Sequence, residues 1–180
     1  MAFTKLFIMI ELPKAIIISG TDRNVGKTTL ACRLISHFRS DNPIGIKISP
    51  HRHLIENQDL VIAQNEDFII LEETKSTTSK DSSRMRAAGA ERVFFIMAED
   101  KFLTASMQIL QDYIDLSERL IIESAALRRF YVPEQFILVY SKEYPESKTK
   151  NKDIDAFVNR RLIFDGVHFY ENNQKIDLSK

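Results

Sequence analysis

Ala15-Ile16-Ile17-Ile18-Ser19-Gly20-Thr21-Asp22-Arg23-Asn24-Val25-Gly26-Lys27-Thr28-Thr29 divides into an apolar run, a loop bounded by glycines and the start of a helix. The run Ala15–Ser19 is apolar without alternation, as expected of a strand covered on both faces. After the loop, Leu30, Ala31, Leu34, Ile35 and Phe38 recur at helical spacing on one face. The helix therefore runs from about Gly26 to Arg39, where Ser40-Asp41-Asn42-Pro43 breaks it. Ile44-Gly45-Ile46-Lys47-Ile48-Ser49 is a second interior strand.

The loop has the chemistry of a phosphate-binding P-loop. Backbone N–H groups of the loop and first helical turn point at an anion, and the helix dipole adds partial positive charge. Thr21, Asp22, Arg23, Asn24, Val25, Gly26, Lys27, Thr28 and Thr29 are thus the candidate nucleotide-binding residues. Lys27 supplies a compact cation for the β- and γ-phosphates, and the Thr28 hydroxyl is placed for the accompanying magnesium ion. Gly26 admits a close backbone approach. The usual motif has four residues between its glycines; here Gly20 and Gly26 are separated by five.

Further along, Pro50-His51-Arg52-His53 forms a polar loop at the end of strand two, where ligands of parallel sheets bind. The two histidines share a face in an extended segment, but no cysteine or acid lies at zinc-ligand spacing. Residues 54–66 are weakly patterned, part helix or loop. Residues 67–73 form a strand and 74–79 a Ser/Thr/Lys loop. Lys80 to Ala90 is a short helix capped by Asp81 or Ser82 and ended by Gly89. Arg92–Ala98 is a buried strand, and Phe102, Leu103, Met107, Leu110, Tyr113 and Ile114 mark an amphipathic helix. Arg119–Glu123 and Gln135–Tyr140 are strands. Ser141–Lys152 is solvated and flexible, and Ile154, Phe157, Val158 and Leu162 give a last helix. A terminal hairpin lies within 163–180, around Glu171-Asn172-Asn173. Alternating strands and helices predict an α/β fold: a doubly wound, mostly parallel sheet with helices on both faces.

The 180 residues suit one domain spanning 1–180, with 1–14 as an N-terminal extension or extra edge strand, and with Met1 or Met9 as the start. Twenty-five basic and twenty-five acidic residues cancel, which gives no support for nucleic-acid binding. Apolar runs of about five residues fall far short of the ~20 a membrane helix needs, so no membrane association is expected. The single cysteine, Cys32, permits no internal disulfide and suits a reducing cytoplasm. Exposed edge strands would permit a homodimer.

A P-loop needs acidic partners. Leu120-Ile121-Ile122-Glu123 delivers an acid at the end of an apolar strand, the Walker-B arrangement, and Ile69-Ile70-Leu71-Glu72 is a rival of the same appearance. Asp81 is a further candidate. Lys47 sits near the end of a buried strand, where an ammonium is costly without an anion nearby.

Gly20-Thr21-Asp22-Arg23-Asn24-Val25-Gly26-Lys27-Thr28 resembles the loop of dethiobiotin synthetases, Gly-Thr-Asp-x-x-Val-Gly-Lys-Thr. Gly45-Ile46-Lys47 with its histidines, Lys80 to Ala90 and Leu120 to Glu123 are similar to segments of the related molybdopterin-guanine dinucleotide biosynthesis adaptor (MobB-like) proteins. Pro133 also matches that family's proline after the acid. The resemblance covers roughly residues 15–140. It implies a P-loop nucleotide-binding fold and a magnesium ion held by Thr28, Asp81 and Glu123. Ser124-Ala125-Ala126 replaces the glycine-rich turn that dethiobiotin synthetases carry after the acid, and the chain length suits the adaptor family better.

The expectation is a magnesium-dependent ATP- or GTP-binding protein with slow hydrolysis at most. No catalytic base or arginine finger is evident; Arg23, Arg128 and Arg129 are the nearest arginines. Two other functions remain open. One is an ATP-dependent ligase like dethiobiotin synthetase, in which Lys27 and Lys47 steady a carbamate. The other is a non-catalytic, nucleotide-switched interaction module for a protein partner, in which loops 50–66 and 74–81 would change order with the γ-phosphate. Ser141-Lys142 follows a strand where GTPases place Asn-Lys-x-Asp, without the matching acid.

Overall fold

A computed structural model describes residues 9–55 and 60–177. Its strands are β1 (Ile10–Gly20), β2 (Ile44–Ser49), β3 (Leu60–Gln64), β4 (Phe68–Glu72), β5 (Arg92–Ala98), β6 (Leu120–Glu123), β7 (Tyr131–Tyr140), β8 (Arg160–Phe164), β9 (Phe169–Glu171) and β10 (Gln174–Lys175). Its helices are α1 (Lys27–His37), α2 (Asp81–Ala87) and α3 (Leu103–Leu110). The strands form one mixed, mostly parallel sheet in the order β10-β9-β8-β7-β1-β6-β2-β5-β4-β3. From β8 to β5 neighbouring strands run parallel, and antiparallel strands extend both edges.

β1 lies between β6 and β7, and its successive side chains enter two different cores. Ala15 and Ile17 join Leu103, Met107 and Leu110 of α3. Ile16 and Ile18 join Leu30, Leu34 and Ile35 of α1 and Met85 of α2. This is why the isoleucine run does not alternate with polar residues: each face of the sheet has its own helical cover. Each isoleucine fully buried in this way is worth roughly 1.5–3 kcal/mol.

Several elements differ from the sequence expectation. β1 begins at Ile10, and residues 10–12 pair with β7, with a register shift before Ile16. Pro13, lacking an N–H, sits in that irregularity. The Leu6-Phe7-Ile8 part of the expected edge strand, and Leu178, lie outside the described residues. The segment 60–64, read as loop or helix, is edge strand β3. α2 is capped by Lys80, not Asp81 or Ser82, and no side chain bonds its N-terminus. α3 is shorter than predicted, and Tyr113 and Ile114 lie in the turns beyond it. The expected last helix is a 3-10 segment, Thr149–Phe157, followed by strand β8. Ser147 and Asn151 are buried, so the stretch expected to be solvated is partly packed. The terminal hairpin is present, with Asn172 and Asn173 both at positive φ (51° and 65°), the conformation of a tight two-residue hairpin turn.

Candidate functional site

The loop after β1, the ends of β2 and β6, and the start of α2 meet at the carboxyl edge of the parallel sheet. Parallel pairing sets the register: Ile18 stands opposite Glu123, and Lys47 opposite Glu123 on the other side. Thr28, in the first turn of α1, donates its hydroxyl to Glu123 Oε2 at 2.7 Å. The Lys47 ammonium donates to Glu123 Oε1 and lies 3.1 Å from Asp81 Oδ2. Glu123 is 3 % exposed, so these neighbours take the place of water around its carboxylate.

The loop 20–26 is held from several sides. Thr21 is buried, and its hydroxyl donates to the Tyr144 carbonyl at 2.6 Å. Asp22 Oδ1 pairs with Lys148 at 2.8 Å and accepts the Arg23 N–H at 2.6 Å. Val25 points into the core beneath α1. Asn24 and Gly26 adopt positive φ, 58° and 99°. A Cβ on Gly26 would lie 2.6 Å from the Phe164 ring, and one on Gly20 would lie 2.7 Å from Lys27 Cδ and 2.8 Å from Val25 Cγ2. Gly20 is therefore fixed by contacts, and Gly26 by contacts and by its left-handed backbone together. Leu30 N–H makes a helical bond to Gly26 O at 2.9 Å, so the N–H groups of Lys27, Thr28 and Thr29 occupy the open first turn.

The Lys27 ammonium donates to the Asp22 carbonyl at 2.5 Å. Burial pushes its pKa down, and Lys47 adds to this, against the pull of Glu123 and Asp81. An anion beside Lys27 would relieve that penalty. For Asp81, burial works upward, but the Lys47 charge, hydrogen bonds from Lys47 and Thr28, and Arg84 outweigh it, so the carboxyl lies below its usual range. Arg84 reaches both Asp81 (3.5 Å) and the Thr29 hydroxyl (3.4 Å).

The loop, the two lysines and the acids meet around one cavity of about 1070 Å³, although Thr21, Asp22 and Val25 are not on its wall. Arg23, Asn24, Gly26, Lys27, Thr28, Thr29, Lys47, Asp81 and Glu123 are on its wall, so sequence candidates from four separate segments converge there. The wall continues past Lys47 to His51, His53, Phe95 and Met97. The His53 ring packs 5.5 Å from Phe95. Glu72, the rival acid, also borders the cavity, but both its oxygens accept from Arg92 at 2.8 Å. Arg128 stacks over Phe157 and Arg129 pairs with Asp100 and Asp153, so both serve other contacts. Three residues beyond the sequence candidates also take part: Arg84 and Phe164 on the cavity wall, and Lys148 through Asp22. Arg84 lay inside the quoted α2 segment, one turn after Asp81, and that spacing was the available signal. A second depression of about 730 Å³ lies at the amino ends of β2 and β5 and contains none of the sequence candidates.

Chemically, the Thr28 hydroxyl with the Glu123 and Asp81 carboxylates is an oxygen donor set of the kind hard divalent cations take. The helix turn with Lys27 is a seat for an anion. Among the described residues no helix is long and apolar enough to cross a membrane. No protein-family model matches the chain, and neither a curated protein nor a solved structure matches it.

Proposed function

We propose that this protein binds a nucleoside triphosphate, ATP or GTP, with magnesium (Mg2+), in a P-loop formed by residues 20–29. The observation that carries the reading is the convergence of Lys27, Thr28, Lys47, Asp81 and Glu123, far apart in sequence, on one cavity wall at the strands' carboxyl ends. The donor set fits the ion: Thr28, Asp81 and Glu123 would hold magnesium, which there would neutralise phosphate charge. Lys27 and the first turn of α1 hold the anion; Lys47 neutralises the acids and meets the terminal phosphate.

The activity is binding with slow hydrolysis at most, as in the molybdopterin-guanine dinucleotide adaptor proteins that the sequence resembles. Of the cavity carboxylates quoted above, Glu123 and Asp81 engage Lys47, and Glu72 engages Arg92. Arg84 is the arginine nearest the acids, and Asp81 engages it. One observation favours a second reading, an ATP-dependent ligase: the cavity runs on past Lys47 to His53, Phe95 and Met97, which leaves room for a second substrate.

The test is thermal unfolding with magnesium and ATP, GTP or a non-hydrolysable analogue of each. A ligand at a hundred times its dissociation constant stabilises by about 2.7 kcal/mol. The proposal is lost if none of these ligands moves the midpoint. Turnover with a diamine substrate, bicarbonate and ATP separates the ligase from the adaptor.

A further inference from the structure

β2 and β6 are parallel neighbours, and Lys47 stands in register with Glu123. Paired residues share a face of the sheet, so the lysine stem rises beside the carboxylate that ends β6. The Lys47 ammonium donates to Glu123 Oε1 and lies 3.1 Å from Asp81 Oδ2. Thr28 closes the circuit from the other side. It donates to Glu123 Oε2 at 2.7 Å and also hydrogen-bonds to the Asp81 carboxyl. Lys47, Glu123, Thr28 and Asp81 thus form a closed ring of contacts, and Lys47 is its cation.

The other three members of that ring are the donors that fit magnesium, and Lys47 engages both carboxylates among them. An ammonium and a magnesium ion cannot hold the same two oxygens. The ion needs near-octahedral bonds of about 2.0–2.1 Å, and two cations so close repel each other. Lys47 is also hard to displace. Its stem is rooted in a central strand, so its local concentration at the acids is on the order of millimolar or higher. The Lys47 side chain is 18 % exposed and that of Glu123 4 %, so little water competes for the pair. Dissolved magnesium would have to break these contacts and shed part of its own hydration as well. An anion at the loop changes the balance. Lys47 is near enough to weigh on the charge of Lys27. A phosphate group held by Lys27 and the first turn of α1 therefore offers Lys47 a second partner and frees the acids for the ion.

We infer that Lys47 is a built-in stand-in for the divalent cation: its ammonium holds Glu123 and Asp81 against magnesium alone and yields them only when a phosphate group is seated at the loop. The inference rests on the nucleotide reading above and adds an order of events to it. Cation and nucleotide enter together, and each strengthens the binding of the other by the same factor. The acids then answer to the metal–nucleotide complex and not to the metal.

The experiment measures Mn2+ binding to the full chain without nucleotide, by calorimetry and by the electron paramagnetic resonance of the free ion, in wild type, K47M and K47M/E123Q. Mn2+ takes the same oxygen donors as magnesium and is directly visible. Circular dichroism establishes that each variant is folded at the temperature used, and K47Q gives the same comparison if K47M does not fold. The expected result is no saturable binding by wild type at submillimolar Mn2+, and one ion bound by K47M at least about tenfold more tightly. K47M/E123Q should lose that ion, which places it at the acids. Equal affinity in wild type and K47M would overturn the inference, since ion and ammonium would then share the carboxylates. So would an absence of binding in the folded variant, or binding that survives E123Q. Calorimetry of wild type with magnesium and non-hydrolysable ATP or GTP analogues separates the two readings. If no analogue binds, the nucleotide reading falls whatever K47M does with Mn2+. If analogues bind and K47M takes no Mn2+, the inference alone falls.

Discussion

Thr28 and Glu123, ninety-five residues apart in sequence, share a 2.7 Å hydrogen bond inside the protein. The bond joins the first turn of α1 to the end of β6 and aims both oxygens at one point. Glu123→Gln keeps the shape and an acceptor for Thr28 but removes the charge. Magnesium should then no longer strengthen ATP or GTP binding, a loss exceeding the roughly tenfold to hundredfold that outer-shell changes produce. Calorimetry with and without magnesium measures it; an undiminished magnesium effect would remove Glu123 from the ion's shell.

Lys47 neutralises two carboxylates at once. Lys47→Met leaves Glu123 buried without its cation, which costs about 3 kcal/mol. For a chain of this size the unfolding midpoint should fall by roughly 6–12 °C. Millimolar magnesium alone should recover most of that drop in the variant and do much less in wild type. A midpoint unchanged by the substitution would mean that the ion pair contributes nothing net.

Burial depresses the Lys27 ammonium, so the ligand-free protein carries a strained charge. Lys27→Met should raise the midpoint of the free protein by a few degrees while abolishing the nucleotide-induced shift. A variant that loses stability would show that the bond to the Asp22 carbonyl outweighs the desolvation.

Gly26 combines a φ of 99° with a ring at 2.6 Å from where a Cβ would stand. Gly26→Ala should destabilise by about 3 kcal/mol, from left-handed strain and displacement of Phe164. In a Phe164→Ala background the same change should cost less, because only the backbone strain remains. The double-mutant cycle reads the difference; strict additivity would place the whole effect in the backbone.

Two aspartates predict the acid limb of stability. Asp165 is held down to about 2 by the His168 and Val167 N–H groups, and Asp81 lies below 3.8 through the balance described above. A depressed carboxyl stabilises fully above its unfolded value of 3.8 and loses that contribution as pH falls through its folded value. Stability should therefore decline between about pH 4 and pH 2, with a shallower decline in Asp165→Asn. Equal slopes in the two proteins would count against the turn geometry.

The central strands and α1 were legible because they are buried on both sides, and continuous apolar runs report that directly. β3 was not, because its residues are mostly exposed or half-buried at a sheet edge, with no periodic face. The segment around β8 misled for another reason. Ile154 and Leu162 fit a helical spacing, yet they pack on opposite faces of the sheet. Lys27, Thr28, Lys47 and Glu123 could be named from strand ends and motif spacing, and Asp81 through the family resemblance of its helix. Arg84, Lys148 and Phe164 could not be assigned to the site, since a surface arginine, a loop lysine and an apolar ring gain their roles only when chain folding brings them beside the loop.

The first strand among the described residues is also the middle of the sheet, flanked by strands that begin at Leu120 and Tyr131. On the ribosome, β1 must wait for both neighbours to be synthesised before its hydrogen bonds close. Its isoleucines stay uncovered until β6 and β7 have been made, and pairings this distant in sequence form slowly. The nascent chain should thus be a strong client of holding chaperones until β7 has emerged and the sheet's centre can close.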